Sequence, residues 1–577
     1  MLKNLKPANI RTQYEMARLM AGLSTDVGRA YAQWMAALAT HPRFLMGHSL
    51  GLAADYLSIS RDLLLRSAGR PVNGSGANGS TDRRFKGEAW EKRPVFNAVR
   101  DAWHATTNTA LSLADEPPGL DADTARKLKF FTSQFLDAVA PSNFPLSNPE
   151  VLAETRSSKG ANFLSGLRHL WSDLDLQHGQ LKISMSDLGA FEVGKNLAVT
   201  PGKVVYENEV MQLIQYEPTT PKVFRRPLLI LPPWLNKYYV LDMQPANSVV
   251  RWLVEQGHTV FLISWVNPDG HTPDKTFDEY LTEGPVEAME VIEEITGQKE
   301  INAMGYCLGG ILLATLLAWL EEKGQRPIKS ATFLTTLIDY SDVGDIKVFL
   351  SEDLVKRLER VGAQKGFIPG ENVSWGFRML RAPDLIWSFV INHYLLGKPR
   401  VPFDLLYWNE DATNMPVACH TWYMRNMYLN NRLREPGALT VAGEPIDVTS
   451  IKTPTYILAT RDDHIAPWKT CYESTQLFGG PNRFVLGYSG HIAGVINPPT
   501  KMKYGYRVGK QNPEDAEAWF EKAEEHEGSW WVDWGKWLKR YGGGQVKARE
   551  PGSEDYPPIE DAPGSFVKKT LKDTHKS

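Results

Sequence analysis

The first 190 residues carry their apolar positions mostly at helical spacing. Over residues 1–70 this spacing meets few helix breakers before Pro71. The sequence RPVNGSGANGS at residues 70–80 is rich in Gly, Asn and Ser, as flexible linkers are. A second helical pattern runs from about residue 85 to 188. We therefore predict a mainly helical N-terminal domain over residues 1–190, with a linker or loop at 70–80.

The pattern changes near Gly202, where short apolar and β-branched runs begin to alternate with helix-length segments. This alternation is typical of a mostly parallel sheet with helices packed on its faces. The helix-length segments include residues 247–256 and 277–296. The strand-like runs are KVVYENEVMQLIQYEP (203–218), PLLILPPW (227–234), HTVFLISW (258–265), INAMGYC (301–307), SATFLTTLIDY (330–340), TPTYILATRDDH (453–464) and RFVLGYSGH (483–491).

A stretch of more than a hundred residues between Tyr340 and Thr455 has no clear place in this alternation, and it is rich in Trp, Tyr, Phe and Leu. Long insertions between sheet strands commonly form lids. We predict an α/β domain over residues 191–545 with a cap insertion at about 341–453. The tail at 546–577 holds many Pro, Gly and charged residues, so we expect it to be extended or partly disordered.

Composition excludes several classes of protein. Hydrophobic residues make up 42% of the 577 residues, and 64 basic residues nearly balance 67 acidic ones. This balance argues against a nucleic-acid-binding protein. The apolar run Ile311–Leu320 is too short to span a membrane, so we expect no transmembrane segment. Three cysteines, Cys307, Cys419 and Cys471, form no disulfide framework and no metal-binding pattern, and they fit a reducing cytosol.

The sequence Gly305-Tyr306-Cys307-Leu308-Gly309-Gly310 follows a strand-like run and precedes a helix-like one. This is the context of a nucleophile elbow, the tight strand-to-helix turn that exposes a catalytic side chain. Gly305 and Gly309 fit the turn because larger side chains would collide across it. The nucleophile of such elbows is commonly serine, whereas here it is Cys307, and the helix N-terminus favours its thiolate.

A nucleophile needs a base, and the base needs a group that orients it. In α/β-hydrolases the chain order is nucleophile, acid, histidine. His491 follows the last predicted strand and is the candidate base. Asp463, which follows the preceding strand, is the preferred acid, with Asp462 as the alternative. His464 is a weaker alternative base.

The oxyanion that forms during attack by Cys307 needs two donors. The backbone N–H of Leu308, the residue after the nucleophile, is the first candidate. The second is expected from the loop PPWLNK at 232–237. Proline has no N–H, so Trp234 and Leu235 are the candidates there. The simpler interpretation of this loop is a rigid Pro-Pro turn without a catalytic role.

A cysteine nucleophile suits one kind of acyl transfer in particular. A thiolate that attacks a thioester yields another thioester, so the acyl group stays activated until a hydroxyl group attacks it. A serine would form a more stable oxygen ester. His491 could serve as base for both the thiol and the hydroxyl.

The chain also resembles a known family. Its motifs are similar to those of polyhydroxyalkanoate synthases, with the GYCLGG and GHIAGVINPP variants most like class I enzymes, which favour short-chain monomers. The matching motifs are DRRFKGEAW (82–90), PPWLNKYYVLDM (232–243), GYCLGG (305–310), FDLLYWNEDATNMP (403–416), DDHIAPW (462–468) and GHIAGVINPP (490–499).

The resemblance implies an α/β-hydrolase catalytic domain with a cap, preceded by a helical domain. It implies polymerisation of (R)-3-hydroxyacyl-CoA, for example 3-hydroxybutyryl-CoA, to a polyester with release of CoA and without a cofactor. By motif position, Cys307 is the nucleophile, His491 the base and Asp463 its acidic partner, which helps to activate the 3-hydroxyl group. The resemblance further implies a homodimer bound to the growing chain at cytoplasmic polymer granules.

Two other functions share some of these features. A thioesterase, or a cysteine-type ester or lactone hydrolase, would use the same elbow, acid and base. The extra helical domain and the long aromatic insertion favour the synthase instead. A non-catalytic granule-binding scaffold of hydrolase fold is the third hypothesis, and the complete set of Cys307, Asp463 and His491 argues against it.

Overall fold

The computed structural model of the chain describes residues 26–72, 82–115, 117–175 and 180–574. The chain forms two compact units. The first contains residues up to 186 together with 375–401, and the second contains residues 187–374 and 402–577. Part of the predicted linker at 70–80, and the first 25 residues of the predicted helical domain, lie outside the described residues.

The first unit is mainly helical, as predicted. Polar side chains start several of its helices: Asp121 accepts a hydrogen bond from the backbone N–H of Thr124, and Asn148 accepts from the backbone of Val151. A short antiparallel pair joins Leu174–Asp175 to Gln180–Leu181. The helices are 26–40, Pro42–Ser67, Glu88–Lys92, Pro94–Asp115, Ala122–Val139, Pro149–Ser157 and Ala161–Asp173.

Residues 375–401 lie inside the predicted cap insertion, yet they pack in the first unit. Gly166 allows this packing, because a Cβ atom at that position would collide with the backbone carbonyl of Tyr394. Arg400 and Tyr394 both bind the buried carboxylate of Asp173, at 2.6 and 2.7 Å. The prediction of one continuous cap on the α/β domain is therefore wrong for residues 375–401. This stretch contains two short helical segments, Pro383–Trp387 and Val390–Leu395.

An eleven-stranded sheet organises the second unit. In chain order the strands are β1 (Gly202–Glu207), β2 (Met211–Tyr216), β3 (Leu228–Leu231), β4 (Val260–Trp265), β5 (Ile301–Tyr306), β6 (Ile328–Leu334), β7 (Thr455–Thr460), β8 (Asn482–Gly487), β9 (Gly505–Val508), β10 (Glu524–Glu527) and β11 (Glu560–Asp561). Their spatial order is β10-β9-β8-β7-β6-β5-β3-β4-β2-β1-β11. The six strands from β8 to β4 in this order are parallel, and the remaining pairs are antiparallel.

The predicted strand-like runs correspond to β1 through β8. Strands β3, β4, β5 and β7 are buried at every position, as expected for parallel strands covered on both faces. Helices such as Leu308–Glu322 and Val249–Glu255 pack against these strands. The unit also contains two short antiparallel strand pairs, Leu439–Val441 with Glu444–Ile446 and Lys222–Phe224 with Gln545–Lys547. Its helices are Val249–Glu255, Phe277–Leu281, Glu287–Thr296, Leu308–Glu322, Glu352–Lys365, Asp404–Glu410, Val417–Tyr423, Trp468–Tyr472, Ser474–Leu477, Ala516–Lys522, Trp531–Lys539 and Leu571–Thr574, and the helix Gly370–Leu380 has its first five residues in this unit.

Among residues 26–72, 82–115, 117–175 and 180–574, no helix combines the length and the apolarity that a membrane span requires.

The C-terminal tail, expected to be extended or partly disordered, packs within the second unit as far as residue 574. Strand β11 adds an antiparallel edge to β1, and Val567 is buried in the core on that side of the sheet. Tyr238 donates a hydrogen bond to the carbonyl of Pro563, and Asn414 donates to the hydroxyl of Thr574. An apolar side chain and edge hydrogen bonds thus hold this polar-looking segment on the sheet.

Shortening the buried side chain of the tail should destabilise the second unit. Val567→Ala should lower the free energy of unfolding by about 2 kcal/mol, because it leaves a cavity in the core. Ile559→Ala is the matched control, since this tail residue is 55% exposed, and its effect should stay within about 0.5 kcal/mol. Urea unfolding followed by tryptophan fluorescence measures both. Equal effects of the two variants would contradict the packed position of the tail.

Candidate active site

Cys307 lies at a sharp turn between β5 and the helix Leu308–Glu322, which we call the elbow helix. Its backbone has φ +51° and ψ −115°, a conformation that non-glycine residues rarely adopt. The N–H of Cys307 donates a hydrogen bond of 2.9 Å to the carbonyl of Leu334 in β6. The thiol is half-buried, whereas Cys419 and Cys471 are completely buried. The predicted strand–turn–helix context of this cysteine is therefore confirmed.

Three glycines make room for this turn. A Cβ atom at Gly305 would collide with the backbone of Gly309 and Gly310, and one at Gly309 would collide with the carbonyl of Leu231. A Cβ atom at Gly310 would collide with Thr336. The steric argument from the sequence holds for Gly305 and Gly309, and the structure adds Gly310.

His491 and Asp463 meet at the same edge of the sheet. Strands β7 and β8 are parallel neighbours, so the loops after them emerge side by side. Nδ1 of His491 lies 2.7 Å from Oδ2 of Asp463. Both residues are buried, and the Asp463 side chain has no exposed area.

Hydrogen bonds fix the orientation of the Asp463 carboxylate. Its Oδ1 accepts hydrogen bonds from the backbone N–H groups of Ile465 and Ala466, at 2.8 and 2.9 Å. Its Oδ2 accepts from the hydroxyl of Thr460 at 3.3 Å as well as from His491. A carboxylate that only accepts requires the proton of His491 on Nδ1, which leaves Nε2 free to face a thiol.

The pKa of His491 reflects both neighbours. Burial lowers this pKa, but the charge of Asp463 and its hydrogen bond raise it, as do hydrogen bonding with Cys307 and the charge of the thiolate. The net result is a pKa of about 10 for His491. Asp463 and Cys307 together therefore favour the protonated form of His491.

The alternatives for the acid and base are resolved in part. Asp462 is exposed, and the aspartate that binds His491 is Asp463. His464 is half-buried in the same loop. A catalytic contribution from His464 stays a prediction.

The loop after β3 lies against the start of the elbow helix, because the carbonyls of Leu231 and Pro232 are the nearest atoms to a Cβ placed on Gly309. Trp234 is buried and Leu235 is half-buried within this loop. At the other side, Leu308 is the first residue of the helix, and helix geometry gives its N–H no acceptor within the helix. The roles of these three residues as oxyanion donors stay predictions.

The sequence did not single out the aromatic neighbours of the site. The ring of Tyr306 stacks on His491 with 5.6 Å between the centroids, and its hydroxyl donates to the carbonyl of His491 at 3.4 Å. Tyr340 and Tyr423 have their hydroxyls 3.4 Å apart. Burial raises the pKa of both phenols, and the nearby charge of Cys307 raises it further. Of these aromatic residues, only Tyr306 had a sequence feature that could have identified it, because it belongs to the elbow motif.

Comparisons with known proteins place the chain in a family. The family described as poly-beta-hydroxybutyrate polymerase (PhaC) N-terminus matches residues 81–253, and the alpha/beta hydrolase fold family matches residues 226–498. A poly(3-hydroxyalkanoate) polymerase of Methylorubrum extorquens is 46% identical over 85% of this chain and 81% of its own length. The polymerase subunit PhaC of Rhizobium meliloti is 39% identical over 98% of this chain and 97% of its own. The subunit PhaC of Cupriavidus necator is 45% identical over 84% and 83%.

The chain belongs to the poly(3-hydroxyalkanoate) polymerase family. As a member of this family it is an acyltransferase that builds a polyester, and the α/β-hydrolase fold predicted from the sequence is confirmed. Family membership also favours the polymerase over the hydrolase and the scaffold that the sequence left open. Within the described part of the chain, no three His, Cys, Asp or Glu side chains are grouped so that they could hold a metal ion.

Removing the buried carboxylate should make Cys307 less reactive. Asp463→Asn removes the charge that raises the pKa of His491, so this pKa should fall from about 10 toward its ordinary value of 6.5. At about pH 7.5 the imidazole is then mostly neutral and no longer stabilises a thiolate, and alkylation of Cys307 by iodoacetamide should slow by about tenfold. Mass spectrometry of the peptide that contains Cys307 measures the rate.

Asp462→Asn is the matched control, because substitution of this exposed neighbour should leave the alkylation rate unchanged. Equal alkylation rates in the two Asp→Asn variants would show that Asp463 does not control the charge at the site.

The raised pKa of His491 also makes the stability of the fold depend on pH. Because folding raises this pKa, the imidazolium stabilises the fold fully below about pH 6.5, and this contribution is lost as the pH rises through about 10.

Proposed function

We propose that the chain polymerises (R)-3-hydroxyacyl-CoA, with short-chain monomers such as 3-hydroxybutyryl-CoA preferred, through an acyl thioester on Cys307. The observation that carries the proposal is the half-buried thiol at the elbow, served by a histidine whose Nδ1 lies 2.7 Å from a buried carboxylate. Similarity to poly(3-hydroxyalkanoate) polymerases supports this substrate class.

The first step is acylation. The thiolate of Cys307 attacks the thioester carbonyl of the substrate, and the bond to CoA breaks when the tetrahedral intermediate collapses. The imidazolium of His491 supplies the proton that leaves with the CoA thiol. The N–H of Leu308, with that of Trp234 or Leu235, stabilises the negative oxygen between these events.

The second step is chain growth. The 3-hydroxyl group of another acyl unit attacks the thioester on Cys307, forms an ester bond and frees the thiolate. His491 removes the hydroxyl proton as a general base, and Asp463 holds the ring and stabilises its charge. The two steps exchange acyl groups between sulfur and oxygen without oxidation or reduction, so we propose that no cofactor takes part.

The nature of the nucleophile fits this sequence of steps. Exchange between two thioesters changes the free energy little, so the acyl group on Cys307 stays as reactive as it was on CoA until a hydroxyl group attacks it. We also propose, from the motifs shared with class I enzymes, that the chain acts as a homodimer at polymer granules in the cytoplasm.

Two substitutions of Cys307 test the nucleophile. Cys307→Ala should abolish CoA release, because alanine fits the turn but cannot hold an acyl group. Cys307→Ser should release little CoA and form little polymer, because it traps an oxygen ester of lower reactivity. Incubation with 3-hydroxybutyryl-CoA, with CoA release and product size measured together, reports both. Cys419→Ala, at a fully buried thiol, should retain turnover. Substantial CoA release by folded Cys307→Ala would refute the nucleophile.

The parts of the insertion in the second unit, residues 341–374 and 402–453, should act as a cap whose movement gates substrate entry. A thioester that awaits a hydroxyl must be shielded from water, and a cap provides the shield. A non-hydrolysable hydroxyacyl-CoA analogue should therefore slow hydrogen exchange in these segments, measured by mass spectrometry. The helix Trp531–Lys539, on which no substrate contact is proposed, is the internal control. Protection gained elsewhere with none in the insertion would refute gating.

A further inference from the structure

Two segments outside the elbow lie against each other in the second unit. They are residues 232–243, which include the loop after β3, and residues 403–416 of the insertion. Asn236 and Ala412 form an antiparallel β-bridge. The indole N–H of Trp408 donates to the carbonyl of Lys237 at 2.7 Å. The second segment lies within the proposed cap, but the acylation and chain-growth steps assign no role to its residues or to its attachment to this loop.

A buried ion pair fixes the register of the two segments. Nζ of Lys237 lies 2.7 Å from Oδ1 of Asp411, and these side chains are only 3% and 13% exposed. The hydroxyl of Tyr239 donates to the other carboxylate oxygen of Asp411 at 2.9 Å. Burying an ion pair costs desolvation and seldom adds much stability, whereas its geometry is demanding. The pair therefore defines the position of the loop more than it stabilises the fold.

Hydrogen bonds hold the loop on both sides of the two candidate oxyanion donors. Before them, the carbonyl of Pro232 accepts from the indole N–H of Trp265 at 2.8 Å. After them, the carbonyl of Leu235 accepts from the hydroxyl of Thr413 at 2.6 Å. Because peptide groups are planar, each bond fixes the orientation of a whole peptide unit. The peptide units between them, which carry the N–H groups of Trp234 and Leu235, are left with little freedom.

The side chain of Trp234 restricts this stretch further. Its ring is 2% exposed and contacts the rings of Phe277, Tyr280 and Tyr423, with centroids about 6 Å away. A buried tryptophan in such a contact set cannot rotate without displacing its neighbours. The backbone of Trp234 is thus held by packing, while the hydroxyl of Thr413 holds the peptide that follows Leu235.

We propose that Thr413 is a positioning residue for the oxyanion that forms on the substrate at Cys307. Its hydroxyl holds the carbonyl of Leu235 at 2.6 Å. This hydrogen bond restricts the neighbouring backbone, whose N–H groups at Trp234 and Leu235 are the proposed donors to the developing negative oxygen. The inference rests on the proposed acylation of Cys307. A donor aimed at the tetrahedral oxyanion stabilises that state and contributes little to binding of the ground state.

Two analogues of 3-hydroxybutyryl-CoA separate these states. With a fluoromethylene ketone analogue, the thiolate of Cys307 adds to the carbonyl carbon and the carbonyl oxygen becomes a tetrahedral oxyanion. A thioether analogue has no carbonyl and forms no adduct. In Thr413→Val the ketone should bind about tenfold or more weakly, while the dissociation constant of the thioether should stay unchanged. Thr413→Ser, which keeps the hydroxyl, should restore binding of the ketone. If Thr413→Val does not fold, Thr413→Ala also lacks the hydroxyl and takes its place.

Thr421→Val is the matched control. The Thr421 hydroxyl is also buried in the insertion and donates to a backbone carbonyl, that of Val417, at 2.8 Å. Neither analogue should bind differently to this variant. Equal weakening of both analogues in Thr413→Val, or no weakening of the ketone, would overturn the role of Thr413. A wild-type enzyme that forms no ketone adduct on Cys307 would instead overturn the proposed acylation, and the inference with it.

Discussion

The turn at Cys307 is the constraint on which the arrangement of the site depends. A non-glycine residue with φ +51° is strained, and it persists only when its surroundings leave no alternative. Here the elbow helix packs so closely against neighbouring chain that the turn has no other conformation available. Gly309 contacts the backbone at the end of β3, and Gly310 contacts Thr336, which follows β6. The same close packing brings the loop after β3 to the first turn of the elbow helix. The thiol and the candidate oxyanion donors are therefore positioned by one packing event.

The parallel arrangement of the sheet brings the other reacting groups to the same place. Strands β5, β7 and β8 all run in one direction, so the residues after their carboxyl ends lie at one edge. Asp463 is buried there with hydrogen bonds from two backbone N–H groups and from His491. Burial alone would lower the pKa of His491, but its charged neighbours raise that pKa to about 10. The environment thus favours a protonated imidazole at His491 beside the thiol of Cys307.

The sequence predicted the parts whose physical signal is local. Buried parallel strands such as β3 appear as continuous apolar runs, and the elbow appears as glycines at fixed spacing around Cys307. Spacing alone did not separate the preferred Asp463 from Asp462, because both follow the same strand, and the structure shows that Asp463 binds His491. Strand β10 has the sequence EEHE with every side chain exposed, so no apolar alternation marks it. The division of the insertion between the two units, and the ion pair of Lys237 with Asp411, depend on contacts between distant parts of the chain.

The central claim is that the acyl group passes through Cys307, held in one relay with His491 and Asp463. The most direct test mixes the enzyme with 3-hydroxybutyryl-CoA, quenches the mixture with acid during the first turnover and maps the peptides by mass spectrometry. The account predicts a hydroxybutyryl group, or an oligomer of it, on the peptide that contains Cys307, and neutral hydroxylamine should remove it as expected for a thioester. An acyl group found on another residue, or CoA released without any acylated peptide, would contradict the account.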